Sequence, residues 1–214
     1  MFSFKHLKKI FSFSNSTKNI SPESGLTLVG VGPGDPSLLT IAAVKAIKDA
    51  SLVAYPIARI GAKGIAKEIA SQFIEGKKCM PLLFPMISEM NELNDAWEVA
   101  SDQLVKAVKD GEKVVLLCQG DPSLYATSSY ILLKIKLNYP KLFLKVIPGI
   151  SSFNAAAAAA QIPLSLQKEC LLVSCVPDNR EDFEMILDDF NSTRKVLVLL
   201  KLGKRWGWVR NILE

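Results

Sequence analysis

Histidine is nearly absent from this sequence: the only one is His6, close to the N-terminus. Without a second imidazole, the rest of the chain can form neither a Ser-His-Asp triad nor a Cys-His pair, and it offers no histidine ligand to a metal ion. We therefore expect no metal site and disfavour hydrolysis by an activated nucleophile. A reaction that depends mainly on aligning two reactants fits this composition better.

Cysteine motifs and long apolar runs are also lacking. The four cysteines, Cys79, Cys118, Cys170 and Cys175, do not form a CxxC pair, so we expect buried thiols in a reducing compartment rather than disulfides. No run of about 18 uncharged apolar residues occurs, which predicts a protein without a membrane span. Residues 1–24 lack the apolar core and cleavage site of a secretory signal, and we expect a disordered leader and a cytoplasmic location.

The charge balance is basic, with 26 Lys and Arg against 21 Asp and Glu and a formal net charge of +5. This excess favours an acidic partner, and charge alone leaves nucleic acid, an anionic membrane surface and a polycarboxylate small molecule open. Residues 203–210, GKRWGWVR, are the best candidate for a nucleic-acid contact. Because no nucleic-acid recognition fold is visible around them, we predict no nucleic-acid partner.

Short apolar runs alternate with amphipathic stretches from Gly25 onward, which is typical of an α/β protein. The apolar run 114–118 predicts a central strand, and the two prolines in and after 78–84 predict a short or edge strand. The first helix is predicted at 38–50, with Ser37 or Asp35 as its N-cap. Further strands are predicted at 26–31, 52–55, 142–147, 170–176 and 196–201, and further helices at 65–73, 93–109, 123–138 and 181–190. We predict a parallel-type α/β domain over 25–147 and a smaller, mixed α/β domain over 148–214.

Glycine and proline are concentrated at three strand-to-turn junctions, in residues 30–36, 119–122 and 148–152. Because ligands bind at the carboxyl ends of strands in open α/β sheets, we expect these junctions to converge. A dinucleotide fingerprint fails, since Asp35 stands where its third glycine is needed, and no phosphate-binding GxxxxGK[ST] motif occurs. Asp121 could accept hydrogen bonds from a ligand or cap a helix, and Ser151 and Ser152 could likewise bind a ligand or cap.

Three segments together resemble the tetrapyrrole methylase family: GVGPGDPSLLT at 30–40, CQGDPSLYATSSY at 118–130 and IPGISSFNAAAA at 147–158. Residues 54–56 and 84–86 are similar to the branch that methylates precorrin-2 or cobalt-factor II at C-20. The resemblance implies an S-adenosylmethionine-dependent methyltransferase of cobalamin biosynthesis, with S-adenosylhomocysteine as product. A family methyltransferase acting at another ring carbon is the alternative within the same fold.

The resemblance also implies two α/β domains with S-adenosylmethionine between them, an adjoining trough for the tetrapyrrole, and a homodimer. Matching residue by residue, the expected contacts to the cofactor are Pro33, Gly120, Asp121, Leu124, Tyr125, Ser151, Ser152, Leu200, Lys201 and Leu202.

The residue that would remove a proton after methyl transfer stays open between Glu89, Glu92, Tyr125 and ordered water. Arg59 and Lys63 are candidates for contacts to the carboxylates of the substrate. Family members continue beyond the point that corresponds to Glu214, so we expect the second domain to be incomplete at its C-terminus. A truncated homologue that binds the cofactor without turnover is therefore a further alternative.

Overall fold

The computed structural model describes residues 24–87, 89–190 and 195–214. The predicted leader, apart from Ser24, lies outside these residues. The chain forms two compact units that divide after Ser152, whereas the sequence pattern placed the domain boundary between residues 147 and 148.

The first unit is built on a five-stranded parallel sheet with the strand order β3-β2-β4-β1-β5. The position of β4 at the centre agrees with its uninterrupted apolar run, whose residues from Val114 to Cys118 are all buried. Pro81 lies in β3, which is an edge strand. An edge strand pairs on one side only, so it tolerates a proline, which has no N–H to donate. Both predictions are confirmed. The strands are Gly25–Gly30 (β1), Leu52–Ile57 (β2), Lys78–Leu83 (β3), Lys113–Cys118 (β4) and Leu144–Ile147 (β5).

Helices cover both faces of this sheet, and each face has its own hydrophobic cluster. They are Ile41–Asp49 (α1), Ile65–Ile69 (α2), Met90–Lys109 (α3) and Thr127–Asn138 (α4). Apolar residues of α1 and α2 pack with one set of strand side chains, and apolar residues of α3 and α4 pack with the other set. The helix predicted at 93–109 is present as part of α3, and it buries Trp97, Leu104 and Val108 at helical spacing.

The start of α1 differs from the prediction. The Thr40 hydroxyl accepts a hydrogen bond from the Ala43 N–H at 3.1 Å, so Thr40 is the N-cap. Asp35 instead accepts from the Ser37 N–H at 2.8 Å and caps the short 3-10 turn Pro36–Leu38. The predicted cap at Ser37 or Asp35 is therefore wrong, because this extra turn separates both residues from the helix.

Three other boundaries also shift. The helix predicted at 65–73 is the short α2 followed by the 3-10 turn Ser71–Phe73. Helix α3 begins at Met90, three residues earlier than predicted, and α4 begins at Thr127, four residues later. The late start of α4 leaves a long turn after β4, and this turn carries four of the ten predicted cofactor contacts, Gly120, Asp121, Leu124 and Tyr125.

The second unit contains a parallel pair of strands, Cys170–Cys175 (β6) and Lys195–Leu200 (β7). Its helices are α5 (Ser152–Ala160, which begins at the last residue of the first unit), α6 (Arg180–Phe190) and α7 (Trp206–Leu213). Phe183 is fully buried against Val176 and Val209, and the Trp208 ring contacts it edge-on at 5.6 Å between centroids. These contacts form a small core of their own.

The prediction of buried cysteines holds for one residue only. All four thiols are free, as predicted, but Cys118 alone is buried, Cys175 is half-buried, and Cys79 and Cys170 are exposed. Cys79 lies on the edge strand β3, whose residues alternate between the core and solvent, so an apolar neighbourhood in sequence did not imply burial there.

Candidate functional site

The three glycine-rich turns converge, as predicted, because β4, β1 and β5 are neighbours in the sheet. The turn after β1 and the turn after β4 form a short antiparallel bridge between Gly32 and Gly120. The Gly120 N–H donates to the Gly32 carbonyl at 2.8 Å, and the Gly32 N–H donates back at 3.4 Å. Both glycines have left-handed backbone angles, with φ of 77° and 71°, which side chains disfavour.

Gly30 and Gly149 let the backbones of all three turns approach each other. A Cβ atom added to Gly30 would lie 2.5 Å from the Gly149 nitrogen and 2.6 Å from the Gly120 carbonyl oxygen. One added to Gly149 would lie only 2.1 Å from that same carbonyl oxygen. No side chain fits at either position, so backbone groups alone form this part of the crevice. Sequence reasoning did not select Gly30 or Gly149 as site residues, because their proximity follows from the strand order.

Asp121 connects the turn after β4 to the turn after β5. Its Oδ2 accepts a hydrogen bond from the Gly149 N–H at 2.9 Å, and its Oδ1 accepts from the Ser123 N–H at 2.8 Å and from the Ser123 hydroxyl. Partial burial raises the pKa of this carboxyl, but the three hydrogen bonds outweigh that effect and hold the pKa below its usual value. Asp121 therefore carries a negative charge at neutral pH.

The interpretation of Asp121 as a helix cap is wrong. The N-cap of α4 is Ala126, which offers no side-chain hydrogen bond, and Asp121 lies five residues before it. Ser123 lies in the loop before α4, where its N–H donates to the Asp121 side chain two residues earlier, as in an Asx turn.

A cavity of about 240 Å³ lies beside the turn that leads from β4 into α4. Tyr125 lines it, with a left-handed backbone angle φ of 49° and a side chain that is 46% exposed. Phe84, after β3, and Leu116, in β4, contribute apolar walls. Leu124, the preceding predicted contact, is half-buried. We call this space the Tyr125 cavity.

Cys118 ends β4 and also lines the Tyr125 cavity. Burial raises the pKa of its thiol to about 11, against a smaller lowering effect of the hydrogen bond that the Ser128 hydroxyl donates to Sγ at 3.1 Å. This cysteine is a neutral thiol at physiological pH and does not act as a nucleophile. Sequence reasoning identified its burial but not its place in a cavity.

The other predicted contacts of the first unit lie at the same edge of the sheet. Pro33 is half-buried in the turn after β1, and Ser151 and Ser152 follow β5, with Ser152 as the first residue of α5. Each turn that the resemblance associates with the cofactor therefore contributes residues at adjoining strand ends.

The candidates for substrate contacts and for the proton acceptor follow β2 and β3. Arg59 and Lys63 are exposed in the connection from β2 to α2, where Lys63 makes an exposed ion pair with Glu68 at 3.6 Å. Glu89 is the N-cap residue of α3 and Glu92 lies in its first turn, both exposed. These residues share the carboxyl edge of the sheet with Tyr125, because all the strands are parallel.

The remaining predicted contacts, Leu200, Lys201 and Leu202, belong to the second unit. Lys201 directly follows β7 and has a left-handed φ of 56°, and its carbonyl accepts a hydrogen bond from the Arg205 guanidinium at 3.1 Å. Leu200 and Leu202 are half-buried on either side of it.

Several side chains of the basic segment 203–210 make contacts within the second unit. Arg205 makes an ion pair with Asp178, Arg210 pairs with Glu214 at 2.6 Å, and Trp208 packs on Phe183.

The described residues contain neither a metal-binding cluster nor a membrane-spanning helix. No group of three or more His, Cys, Asp or Glu side chains there is arranged to hold a metal ion. Within the same ranges, no helix combines the length and the apolar character needed to cross a bilayer.

Comparison with known proteins confirms the family resemblance. A sequence model described as Tetrapyrrole (Corrin/Porphyrin) Methylases matches residues 25–214. A protein of Methanocaldococcus jannaschii named "Probable cobalt-precorrin-2 C(20)-methyltransferase" is 38% identical over 183 residues, which cover 86% of this chain and 76% of that protein. The Salmonella typhimurium protein named cobalt-precorrin-2 C(20)-methyltransferase is 28% identical over 190 residues, covering 88% and 77%.

A solved structure supports the same fold. The crystal structure of the methyltransferase CobJ superposes with a TM-score of 0.52 at 24% identity. The match covers 78% of this chain and 62% of that one, so the chain spans less than two thirds of the length of CobJ. With the family model matched along nearly the whole described chain, the conclusion is that this chain belongs to the tetrapyrrole methylase family.

Proposed function

We propose that this chain transfers a methyl group from S-adenosylmethionine to C-20 of precorrin-2 or cobalt-factor II. The observation that carries this proposal is the 38% identity, over most of both chains, to a relative named for methylation at C(20) of cobalt-precorrin-2. The parallel α/β unit, with its three turns at one edge of the sheet, supports the proposal because open α/β sheets bind ligands at that edge.

The residues of the first unit fit S-adenosylmethionine. The approach of Gly30, Gly120 and Gly149 exposes backbone rather than side chains, which lets a ligand reach backbone N–H and carbonyl groups. Asp121 is ionised beside them, and an ionised carboxylate suits both ribose hydroxyls and the positive charges of this ligand. We propose the same contact role for Pro33, Leu124, Tyr125, Ser151 and Ser152, and for Leu200, Lys201 and Leu202 of the second unit.

When bound, S-adenosylmethionine supplies a methyl group already activated by a positively charged sulfur. The chain therefore has little covalent chemistry to perform, and its main contribution is to hold the nucleophilic carbon of the substrate in line with that methyl group. The turn contacts between Gly32 and Gly120 and between Asp121 and Gly149 fix the geometry of the crevice before any ligand arrives. The neutral Cys118 thiol does not compete for the methyl group, because a thiol is a much weaker nucleophile than a thiolate.

Arg59 and Lys63 would attract the carboxylates of the tetrapyrrole, since both are exposed cations at the same edge of the sheet. Glu89 and Tyr125 are the candidate acceptors of the proton that leaves after methylation, with Glu92 and ordered water as further options. We also propose that the enzyme acts in the cytoplasm as a homodimer without a nucleic-acid partner. Sedimentation of the purified protein tests the dimer.

Calorimetric titration with S-adenosylhomocysteine, followed by a methyl-transfer assay, tests the proposal. Micromolar binding and transfer of a ¹³C-labelled methyl group to C-20, located by NMR of the product, is the expected result. The folded protein failing to bind S-adenosylhomocysteine would overturn the proposal. Binding without turnover would favour the alternative of an inactive homologue, and label at a different carbon would assign the chain to another member of the family.

Gly207→Ala is the matched control for the titration. Gly207 lies in α7, a Cβ added there meets no atom within 4 Å, and none of the proposed contacts involves it. The control should bind S-adenosylhomocysteine as the parent does, whereas Gly149→Ala should not.

A further inference from the structure

Tyr125 has a backbone conformation that its own side chain disfavours. A left-handed backbone costs a residue other than glycine about 1–2 kcal/mol, because Cβ approaches the following carbonyl. With φ of 49°, Tyr125 carries this cost directly after the turn that contains Asp121. A strained residue persists only where the surrounding structure holds it, and such residues cluster at functional sites.

Two other left-handed residues have an ordinary structural cause. Gln161 follows the end of α5, where its N–H and that of Ile162 bond back to helix carbonyls at 3.1 Å in a Schellman motif. Gln167 lies in a tight turn closed by a hydrogen bond from the Glu169 N–H to the Leu166 carbonyl at 2.8 Å. Tyr125 follows the turn closed by the hydrogen bond from the Leu124 N–H to the Asp121 carbonyl at 3.4 Å, and it directly precedes Ala126, the N-cap of α4.

The chemistry of the Tyr125 cavity changes from its floor to its rim. The buried lining residues are apolar or neutral, with Leu116, Cys118 and Ile131 among them. Gln119 and Tyr125 are the exposed lining residues, and Pro56, Phe84, Ala126 and Thr127 are half-buried between them and the floor. Among the described residues that line the cavity, none carries a charge.

This arrangement selects for an apolar group. A carboxylate pushed against the floor would lose its hydration without gaining a cation, which is strongly unfavourable. The volume of about 240 Å³ is several times the ~30 Å³ that one water molecule occupies in the liquid, so it admits a substituent of a few carbon atoms.

We propose that Tyr125 is a specificity-determining residue whose ring walls a subsite for an apolar substituent at the edge of the tetrapyrrole, with the carboxylate arms kept outside. The inference rests on the proposed function and adds the part of the substrate that this cavity recognises. The backbone of Tyr125 stays in the turn assigned to the cofactor, while its ring serves the substrate.

Tyr125→Ala and Tyr125→Gly separate the ring from the backbone. Both remove the ring and keep the backbone, through which Tyr125 is proposed to contact the cofactor, so both should raise KM for the tetrapyrrole about ten-fold while changing the Kd for S-adenosylhomocysteine less than two-fold. Only glycine relieves the left-handed strain, so Tyr125→Gly should melt several degrees above Tyr125→Ala. Tyr125→Phe restores the ring and should restore the low KM.

The control pair is Gln161→Ala and Gln161→Gly, which should reproduce the difference in melting temperature with no change in KM, because Gln161 is not among the residues that line the cavity. Ala126→Val fills the cavity from a residue whose extended backbone (φ −104°) accepts a β-branched side chain, and should also raise KM.

The proposal is overturned if wild type turns over the substrate and KM for both Tyr125→Gly and Ala126→Val stays within two-fold of it. A ten-fold loss of S-adenosylhomocysteine affinity in Tyr125→Ala would likewise overturn it, because the ring would then serve the cofactor. Failure of the proposed function has a different signature, since wild type itself would then bind no S-adenosylhomocysteine or methylate no tetrapyrrole.

Discussion

Replacing Gly149 by alanine would place a Cβ atom 2.1 Å from the Gly120 carbonyl oxygen and 2.8 Å from Gly30 Cα. Both of these atoms belong to the backbone, so no flexible side chain can move aside. The turn after β5 must shift, and overpacking of this kind costs about 1–3 kcal/mol. The shift also strains the hydrogen bond from the Gly149 N–H to the Asp121 carboxylate, and a bond to a charged group contributes about 1.5–3 kcal/mol.

Together these effects predict that Gly149→Ala lowers the free energy of unfolding by about 2.5–6 kcal/mol, a large part of the 5–15 kcal/mol typical of a domain. Urea denaturation followed by circular dichroism measures the loss. The control, Gly207→Ala, makes the same chemical change inside α7 without a clash. It should raise the free energy of unfolding by about 0.5–1 kcal/mol, because alanine is more stable than glycine in a helix. If the free energy of unfolding of Gly149→Ala lies within about 0.5 kcal/mol of that of the parent, the close approach of the three turns does not require glycine at position 149.

Three further predictions concern the same region. The folded pKa of Asp121 lies below its ordinary value, so its stabilising effect is complete above about pH 5 and is lost as pH falls through the folded pKa; Asp121→Asn should flatten this acid limb in urea titrations from pH 3 to 7. Iodoacetamide at pH 8 should modify the exposed Cys79 and Cys170 but spare Cys118, whose pKa is about 11, until the protein unfolds, and peptide mass spectrometry would detect an early Cys118 adduct that contradicts this. Ala126→Ser supplies the missing N-cap of α4 and should raise the free energy of unfolding by about 1 kcal/mol, whereas no gain would mean that the α4 amides are already satisfied.

Much of the first unit could be predicted because its signals are local. An apolar run such as 114–118 needs cover on both faces, which makes β4 central wherever the other strands lie. The proline at position 81 restricts β3 to an edge for an equally local reason, the missing N–H. Parallel strands bring their carboxyl ends to one edge of the sheet, so the shared edge of the three glycine-rich turns could be predicted, whereas their direct contact depends on β4, β1 and β5 being neighbours.

The start of α1 could not be predicted, because the sequence from Asp35 to Thr40 offers several capping residues in succession. Which of them caps the helix depends on how many residues the chain needs to turn from β1 onto the face of the sheet. A 3-10 turn occupies the first part of this path, so Asp35 caps that turn and Thr40 caps the helix. The position of the N-cap therefore depends on tertiary structure, and helix propensity alone does not predict it.

The Tyr125 cavity was inaccessible to sequence reasoning for a related reason. Tyrosine has no preference for the left-handed backbone conformation, so the residue type does not predict the conformation that places Tyr125 at the cavity. The lining residues come from strands β2 and β4, the end of β3 and the start of α4, and only the strand order brings them together. The exposure of Cys79 and Cys170 also depended on which strands lie at edges and which faces are covered.

Asp121 was open to two interpretations, as a ligand contact or as a structural residue, and its surroundings indicate that the two are compatible. A carboxylate has about four lone-pair sites, and protein donors occupy three of those of Asp121. These donors fix its position and favour its charged form, while capacity remains for one further donor. A residue that only joined two turns could be neutral, whereas one that also faces a cationic ligand must stay ionised. Asp121→Asn removes the charge while leaving one oxygen to accept, so it should weaken S-adenosylmethionine binding more than Ser123→Ala, which removes one structural donor and leaves the charge in place.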